Sequence, residues 1–160
     1  MIEAAHMFGS RANRVVLGDL DAGVAGQFNL QTGEVSLDRS VAQSTNSNYI
    51  AHVIEHELTH AEDDTKGVDI NDIAVGLSKR GELVDMEQLR QIDEASVETR
   101  AGAQSGEGVT TYHEEISSAK LDFSKNGVNI IDFNRARTAG NIEKVLDMIA
   151  PESGEQALAA

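Results

Sequence analysis

Residues 44–64 read STNSNYIAHVIEHELTHAEDD, and this stretch decides how the fold is built. It opens with a cluster of side chains that favour the N-terminal cap of a helix, at residues 44–48. Apolar side chains then recur at helical spacing, namely Ile50, Val53, Ile54, Leu58 and Ala61. The pattern predicts one amphipathic helix that runs to about Asp64.

This helix carries the sequence H-E-L-T-H at residues 56–60. Side chains at positions i and i+4 share one face of a helix, so His56 and His60 can bind a single metal ion. Glu57 lies beside the first of them and can take a proton from a water molecule at that metal. H-E-x-x-H is typical of zinc-dependent hydrolases. We therefore expect Zn²⁺ as cofactor and Glu57 as catalytic base.

The charge balance limits the classes of molecule that the protein is expected to bind. The 160 residues include 27 Asp and Glu against 13 Lys and Arg, a net charge of −14, which disfavours nucleic acid and anionic membranes. The chain has no Cys, so a metal must be bound by His and carboxylates. Residues 1–14 do not resemble a secretory signal. We expect a cytoplasmic protein, or one exported without a cleaved signal.

The residues before the metal-binding helix predict strands. Residues 14–17 read as a short strand, and residues 27–30 and 34–38 read as a hairpin turned at Thr32-Gly33. The rest of the chain is mostly helical. We expect a small α+β fold in which a short antiparallel sheet precedes the helices, as one domain over residues 1–160.

The remaining elements are predicted from helical periodicity and from Gly and Asn punctuation. Helices are expected over residues 70–79, 84–103, 110–123 and 141–149, with a frayed, disordered tail at 152–160. Residues 128–137 fit either a strand or the start of a helix.

A catalytic zinc site needs a third protein ligand. The candidate segment is residues 93–101, on the second long helix. Glu94 and Glu98 are one turn apart there, so both side chains can point the same way. From the residues alone, either carboxylate could complete a His-His-Glu site.

The helix around residues 56–64 resembles the active-site helix of thermolysin-like gluzincin metallopeptidases. In compact relatives, including metallopeptidase toxin and effector domains of bacteria, the third ligand is a Glu in an E-x-x-A pattern. Glu98-Thr99-Arg100-Ala101 matches that pattern and Glu94 does not. The resemblance therefore implies Glu98 as the metal ligand, with Glu94 as the alternative.

The resemblance has further implications. Residues 34–38 would be the zincin edge strand, along which a peptide substrate lies. Asp64, one turn after His60, would orient its ring from behind the metal. Tyr112 and His113, after the Gly-rich loop at 105–108, are the candidates for stabilising an oxyanion.

Other polar residues have ordinary explanations. His52 lies one turn before His56, but three ligands spaced by four residues on one straight helix cannot converge on one ion. It is therefore expected at the rim of the site or in the core. Arg100 is expected to pair with the acidic metal-binding helix rather than with a substrate. His6 is expected to be structural or disordered.

Together, the motif and the resemblance predict zinc-dependent hydrolysis of peptide bonds in a peptide or protein substrate. The resemblance to toxin and effector domains adds a secretion machine or an immunity protein as partner. Two alternatives remain open: a non-catalytic acidic interaction module of the immunity or adaptor type, and a zinc amidase that acts on cell-wall material.

Overall fold

The structure is a computed structural model that describes residues 14–105 and 129–151. The strands are β1 (Arg14–Gly18), β2 (Gly26–Asn29) and β3 (Glu34–Asp38). The described helices are α1 (Arg39–Ala42), α2 (Ser47–Lys66), α3 (Ile70–Lys79), α4 (Met86–Ser105), α5 (Ile130–Thr138) and α6 (Ile142–Ile149). The α+β class predicted from the sequence is confirmed.

The sheet has the strand order β1-β3-β2. β2 and β3 form the predicted antiparallel hairpin, but β1 joins the opposite side of β3 in parallel, so the sheet is mixed rather than antiparallel. β3 is therefore the central strand, and its prediction as an edge strand is wrong. Val35 and Leu37 are buried, and β1 and β2 each add partly buried apolar side chains to the cluster around them.

The hairpin turns over residues 30–33. The Asn29 side chain accepts hydrogen bonds from the backbone N–H groups of Gln31 and Thr32, and Gly33 has a φ of 67°. Leu30, predicted as part of the strand, belongs to this turn and is exposed. The predicted turn is confirmed, and the first hairpin strand ends one residue earlier than expected.

Helix α2 begins where the cap cluster predicted. The side-chain oxygen Oδ1 of Asn46 accepts from the backbone N–H groups of Asn48 and Tyr49, which otherwise have no partner in the first turn of a helix. The helix ends before Gly67, whose φ of 67° is left-handed. Its apolar side packs on the sheet in one buried cluster, made of Val35, Leu37, Val41, Val53, Ile54 and Leu58.

Helix α1 has no counterpart in the sequence prediction. It occupies only residues 39–42, too short for a periodic signal, and its N-cap is Asp38, the last residue of β3. The ambiguous segment 128–137 is helical from Ile130, where Asn129 caps the first turn. The helix expected at 110–123 and the tail at 152–160 lie outside the described residues.

The described residues divide into two compact units. The first contains the sheet, α1, nearly all of α2 and the C-terminal part of α4. The second contains α3, the N-terminal part of α4, α5 and α6. Within the second unit Arg137 is fully buried, where it donates to Asp93 and to the Val68 carbonyl. The expectation of one domain stays a prediction. None of the helices in the described ranges is long and apolar enough to cross a membrane.

Candidate metal centre

Three histidines follow one another along one face of α2, at positions 52, 56 and 60. His52 is buried, and His56 and His60 are partly buried. The Nε2 atoms of His56 and His60 face each other at 3.2 Å, and their ring centroids are 5.0 Å apart. The motif therefore brings two nitrogens of the same type to one point, as its spacing predicts.

This separation matches what a zinc ion requires. Two nitrogens at roughly 2.0–2.1 Å from a tetrahedral zinc lie about 3.3 Å from each other. The observed 3.2 Å between the Nε2 atoms needs almost no adjustment of either ring to reach that geometry. His56 and His60 thus fit the first two ligands of a zinc site.

Glu98 meets His56 at Nδ1, not at the Nε2 atom that faces His60. Its Oε1 is 2.7 Å from His52 Nε2, and its Oε2 is 2.9 Å from His56 Nδ1. The residue is only 1% exposed. Both of its oxygens are therefore engaged by histidines of α2.

The ionisation of Glu98 follows from two opposing effects. Burial raises its pKa, but the hydrogen bonds from His56 and His52, and the charge these rings can carry, lower the pKa further than burial raises it. The net shift is downwards, so Glu98 is a carboxylate at neutral pH. An ionised carboxylate only accepts hydrogen bonds, so each histidine nitrogen that contacts it must donate.

The tautomer of His56 is set by this contact. A neutral imidazole carries one N–H, and in His56 that N–H must be at Nδ1, where it donates to Glu98. The lone pair is then at Nε2, the nitrogen that faces His60. A ligating histidine held by a carboxylate through its other nitrogen is the usual arrangement around zinc.

Glu94, the alternative candidate for the third ligand, is partly buried. It precedes Glu98 by one turn on the unbroken helix α4, about 6 Å along the axis.

Glu57, the predicted base, is buried at 7% exposure and lies against β2. A Cβ built on Gly26 would lie 3.0 Å from Glu57 Oε1 and 2.9 Å from Val53 Cγ1. Only a residue without a side chain allows this approach. Gly26 thus lets the carboxylate lie directly against the strand that forms one edge of the described sheet.

The acid that is buried near the end of α2 is Asp63, not Asp64. Asp63 is fully buried and accepts two hydrogen bonds from Arg100, at 2.8 and 2.5 Å. Arg100 therefore pairs with the acidic helix, as expected. Asp64 is exposed, and no contact within the described ranges joins it to His60. Its role as an orienting acid stays a prediction.

Sequence reasoning placed some of these residues and missed others. Tyr112 and His113 lie outside the described residues, so their predicted roles stay predictions. The contact of His52 with Glu98 was missed, because four-residue spacing shows that His52 shares a face with His56 but not what that face meets. Gly26 was missed because a glycine near a strand has no signal of its own. The chain matches no family model, no curated protein and no solved structure.

Proposed function

We propose that this protein is a zinc-dependent hydrolase of peptide bonds. The observation that carries the proposal is the pair of Nε2 atoms of His56 and His60 at 3.2 Å, with the Nδ1 atom of His56 held by a buried carboxylate. Such a pair has the spacing that two zinc ligands need, and His56 has its free lone pair at the nitrogen that would bind the metal. Glu57, next in sequence to His56, is the proposed catalytic base.

Glu94, rather than Glu98, is the proposed third ligand. Both oxygens of Glu98 accept hydrogen bonds from histidines, so ligation by Glu98 would break at least one of these buried contacts. Glu94 lies one turn before Glu98 on the same helix and is the other carboxylate that the sequence offers. This assignment departs from the E-x-x-A pattern, which favours Glu98.

The chemistry divides between the metal and Glu57. Zinc supplies Lewis acidity, which polarises a carbonyl group and makes a water molecule more acidic. Glu57 takes the proton from the attacking water and then gives it to the leaving amine. The position of its carboxylate against Gly26 supports β2 as the strand along which an extended peptide lies. In this proposal β2 takes the substrate-binding role that the resemblance gave to β3, because β3 is the central strand of the sheet.

A non-catalytic interaction module is the second candidate. The buried contacts of Glu98 with His52 and His56, and of Asp63 with Arg100, are the kind that hold two helices together in any protein. A role as a bacterial toxin or effector, with an immunity or secretion partner, rests on the resemblance to compact metallopeptidases alone.

The test combines metal content with hydrolysis. The protein is purified without chelator, zinc is measured by mass spectrometry, and a denatured protein mixture is assayed for new N-termini. We expect one zinc per chain in the wild type and in Glu57→Gln. We also expect cleavage to fall by roughly 10²–10⁴-fold in Glu57→Gln, the usual contribution of a general base.

Glu55→Gln is the matched control, because Glu55 lies on the same helix and is not part of the proposed site. It should keep both zinc and activity. Failure of the wild type to retain zinc would favour the interaction module. Activity of Glu57→Gln equal to wild type would overturn the mechanism. Cleavage of cell-wall muropeptides but not of proteins would assign the amidase alternative.

A further inference from the structure

We propose that His52 is a positioning residue that acts on the metal site through Glu98. His52, Glu98 and His56 form what we call the buried triad: His52 donates from Nε2 to Glu98 Oε1, and His56 donates from Nδ1 to Glu98 Oε2. The effect of His52 on zinc binding rests on the proposed function, because that proposal supplies the zinc ion. The hydrogen-bond order within the buried triad stands on the geometry alone.

The triad lies away from solvent. The side chains of His52 and Glu98 are 7% and 2% exposed, and that of His56 is 12% exposed. A carboxylate at such a depth needs a donor on each oxygen, because water is not at hand to replace one. His52 is the donor that fixes Oε1, and this leaves Oε2 aimed at His56.

Loss of the N–H that His52 donates should therefore change the tautomer of His56, the other histidine that contacts Glu98. Glu98 would turn to find another donor, or its oxygens would share the N–H of His56. In either case the Nδ1–H tautomer of His56 would be less strongly held, and Nε2 would carry the proton in part of the molecules. A protonated Nε2 cannot bind zinc, so metal affinity should fall without any change in the ligands themselves.

Two substitutions of His52 separate the effect of the hydrogen bond that it donates from the effect of the volume that it fills. In His52→Gln the side-chain amide can place an N–H where His52 Nε2 stood, whereas His52→Leu fills a similar volume without a donor. We expect His52→Leu to bind zinc roughly tenfold more weakly than the wild type, the lower end of the effect of such partners. His52→Gln should recover most of this loss. A purely space-filling role would give the opposite order.

The first measurement needs no metal. Long-range ¹H–¹⁵N correlation spectra of the metal-free wild type at pH 8, above the ordinary histidine pKa of about 6.5, report the tautomer of each ring. We expect His56 in the Nδ1–H form and His52 in the Nε2–H form. His56 should shift towards the Nε2–H form in His52→Leu. The Nε2–H form of His56 in the wild type would overturn the proposal.

The second measurement is zinc affinity by competition with a chromophoric chelator. Thr59→Val is the matched control, because it removes one buried hydroxyl from α2, which bonds the Glu55 carbonyl, outside the buried triad. It should bind zinc as the wild type does. Equal affinities in the wild type and His52→Leu would overturn the inference and leave the proposed function standing.

The two failures are therefore distinguishable. If the metal-free wild type shows the expected tautomers but does not bind zinc, the proposed function fails and the hydrogen-bond order of the triad remains.

If His52→Leu does not fold, the same two measurements are made on Glu98→Gln instead. The amide cannot accept from both rings through two oxygens, so we expect a tautomer change at His56 and roughly 10–100-fold weaker zinc binding. Unchanged values would overturn the proposal.

Discussion

Gly26 shows how much can depend on the absence of one methyl group. Its backbone lies so close to α2 that a Cβ would approach Val53 Cγ1 to 2.9 Å and Glu57 to 3.0 Å. The Gly26 φ angle is not left-handed, so close packing, not backbone conformation, requires the glycine. The position of the proposed base thus depends on a residue of the sheet.

Gly26→Ala should therefore destabilise the protein and displace Glu57. Overpacking of this kind costs about 1–3 kcal/mol, more than alanine gains over glycine in a strand. Urea unfolding monitored by circular dichroism gives the free energy of unfolding. Gly18→Ala is the control, because the nearest atom to its added Cβ is 3.8 Å away. Equal stabilities of the two variants would show that the approach of β2 to Glu57 is looser than described.

The sequence predicts that His56 and His60 face one point but cannot decide between the two glutamates. Glu94 and Glu98 share a helix face, and their four-residue spacing gives the same orientation to both. The difference lies in the contacts that each carboxylate makes with other elements, and for Glu98 these are His52 Nε2 and His56 Nδ1 on α2. Such information is carried by tertiary packing, not by the spacing within one helix.

At the scale of elements, two buried polar contacts join α2 to α4 in the first unit. One is the buried triad around Glu98, and the other is the ion pair of Asp63 with Arg100. The side chains of this pair are 1% and 10% exposed, so the charges depend on each other rather than on water.

Removal of one partner of this ion pair should be costly. Asp63→Asn removes a buried countercharge of the Arg100 guanidinium, which costs about 3–5 kcal/mol of the free energy of unfolding. Glu87→Gln breaks an exposed pair with Arg90 on α4 and should cost about 0–1 kcal/mol. Thermal and urea unfolding of both variants measures the difference. The double variant Asp63→Leu/Arg100→Met should recover much of the loss, and no recovery would argue against a desolvation cost.

The elements themselves could be predicted where local signals agree. The cap at Asn46 and the apolar stripe define α2, and Asn129 caps the helix that the apolar run at 128–131 left ambiguous. The central place of β3 could not be predicted, because strand order depends on pairing between distant residues. β1 reaches β3 only by lying parallel to it on the side that β2 leaves open.

At the scale of the whole molecule, the order of the predicted strands and helices gives the class, and composition limits the types of metal ligand without indicating a substrate. The absence of Cys leaves His and carboxylate groups as the ligands for any metal, and the net charge of −14 disfavours nucleic acid. The α+β class is confirmed. The identity of the peptide that would be cleaved depends on side chains around the site, and neither charge nor periodicity specifies it.

The central claim is that His56, His60 and Glu94 bind one zinc ion while Glu98 stays with the histidines behind them. Anomalous diffraction at the zinc edge, from crystals of the wild-type protein grown with zinc, tests it most directly. We predict one peak at roughly 2.0–2.2 Å from His56 Nε2, His60 Nε2 and a carboxylate oxygen of Glu94, with Glu98 still bonded to His52 and His56. A peak ligated by Glu98 in place of Glu94, or no peak between the two histidines, would contradict the claim.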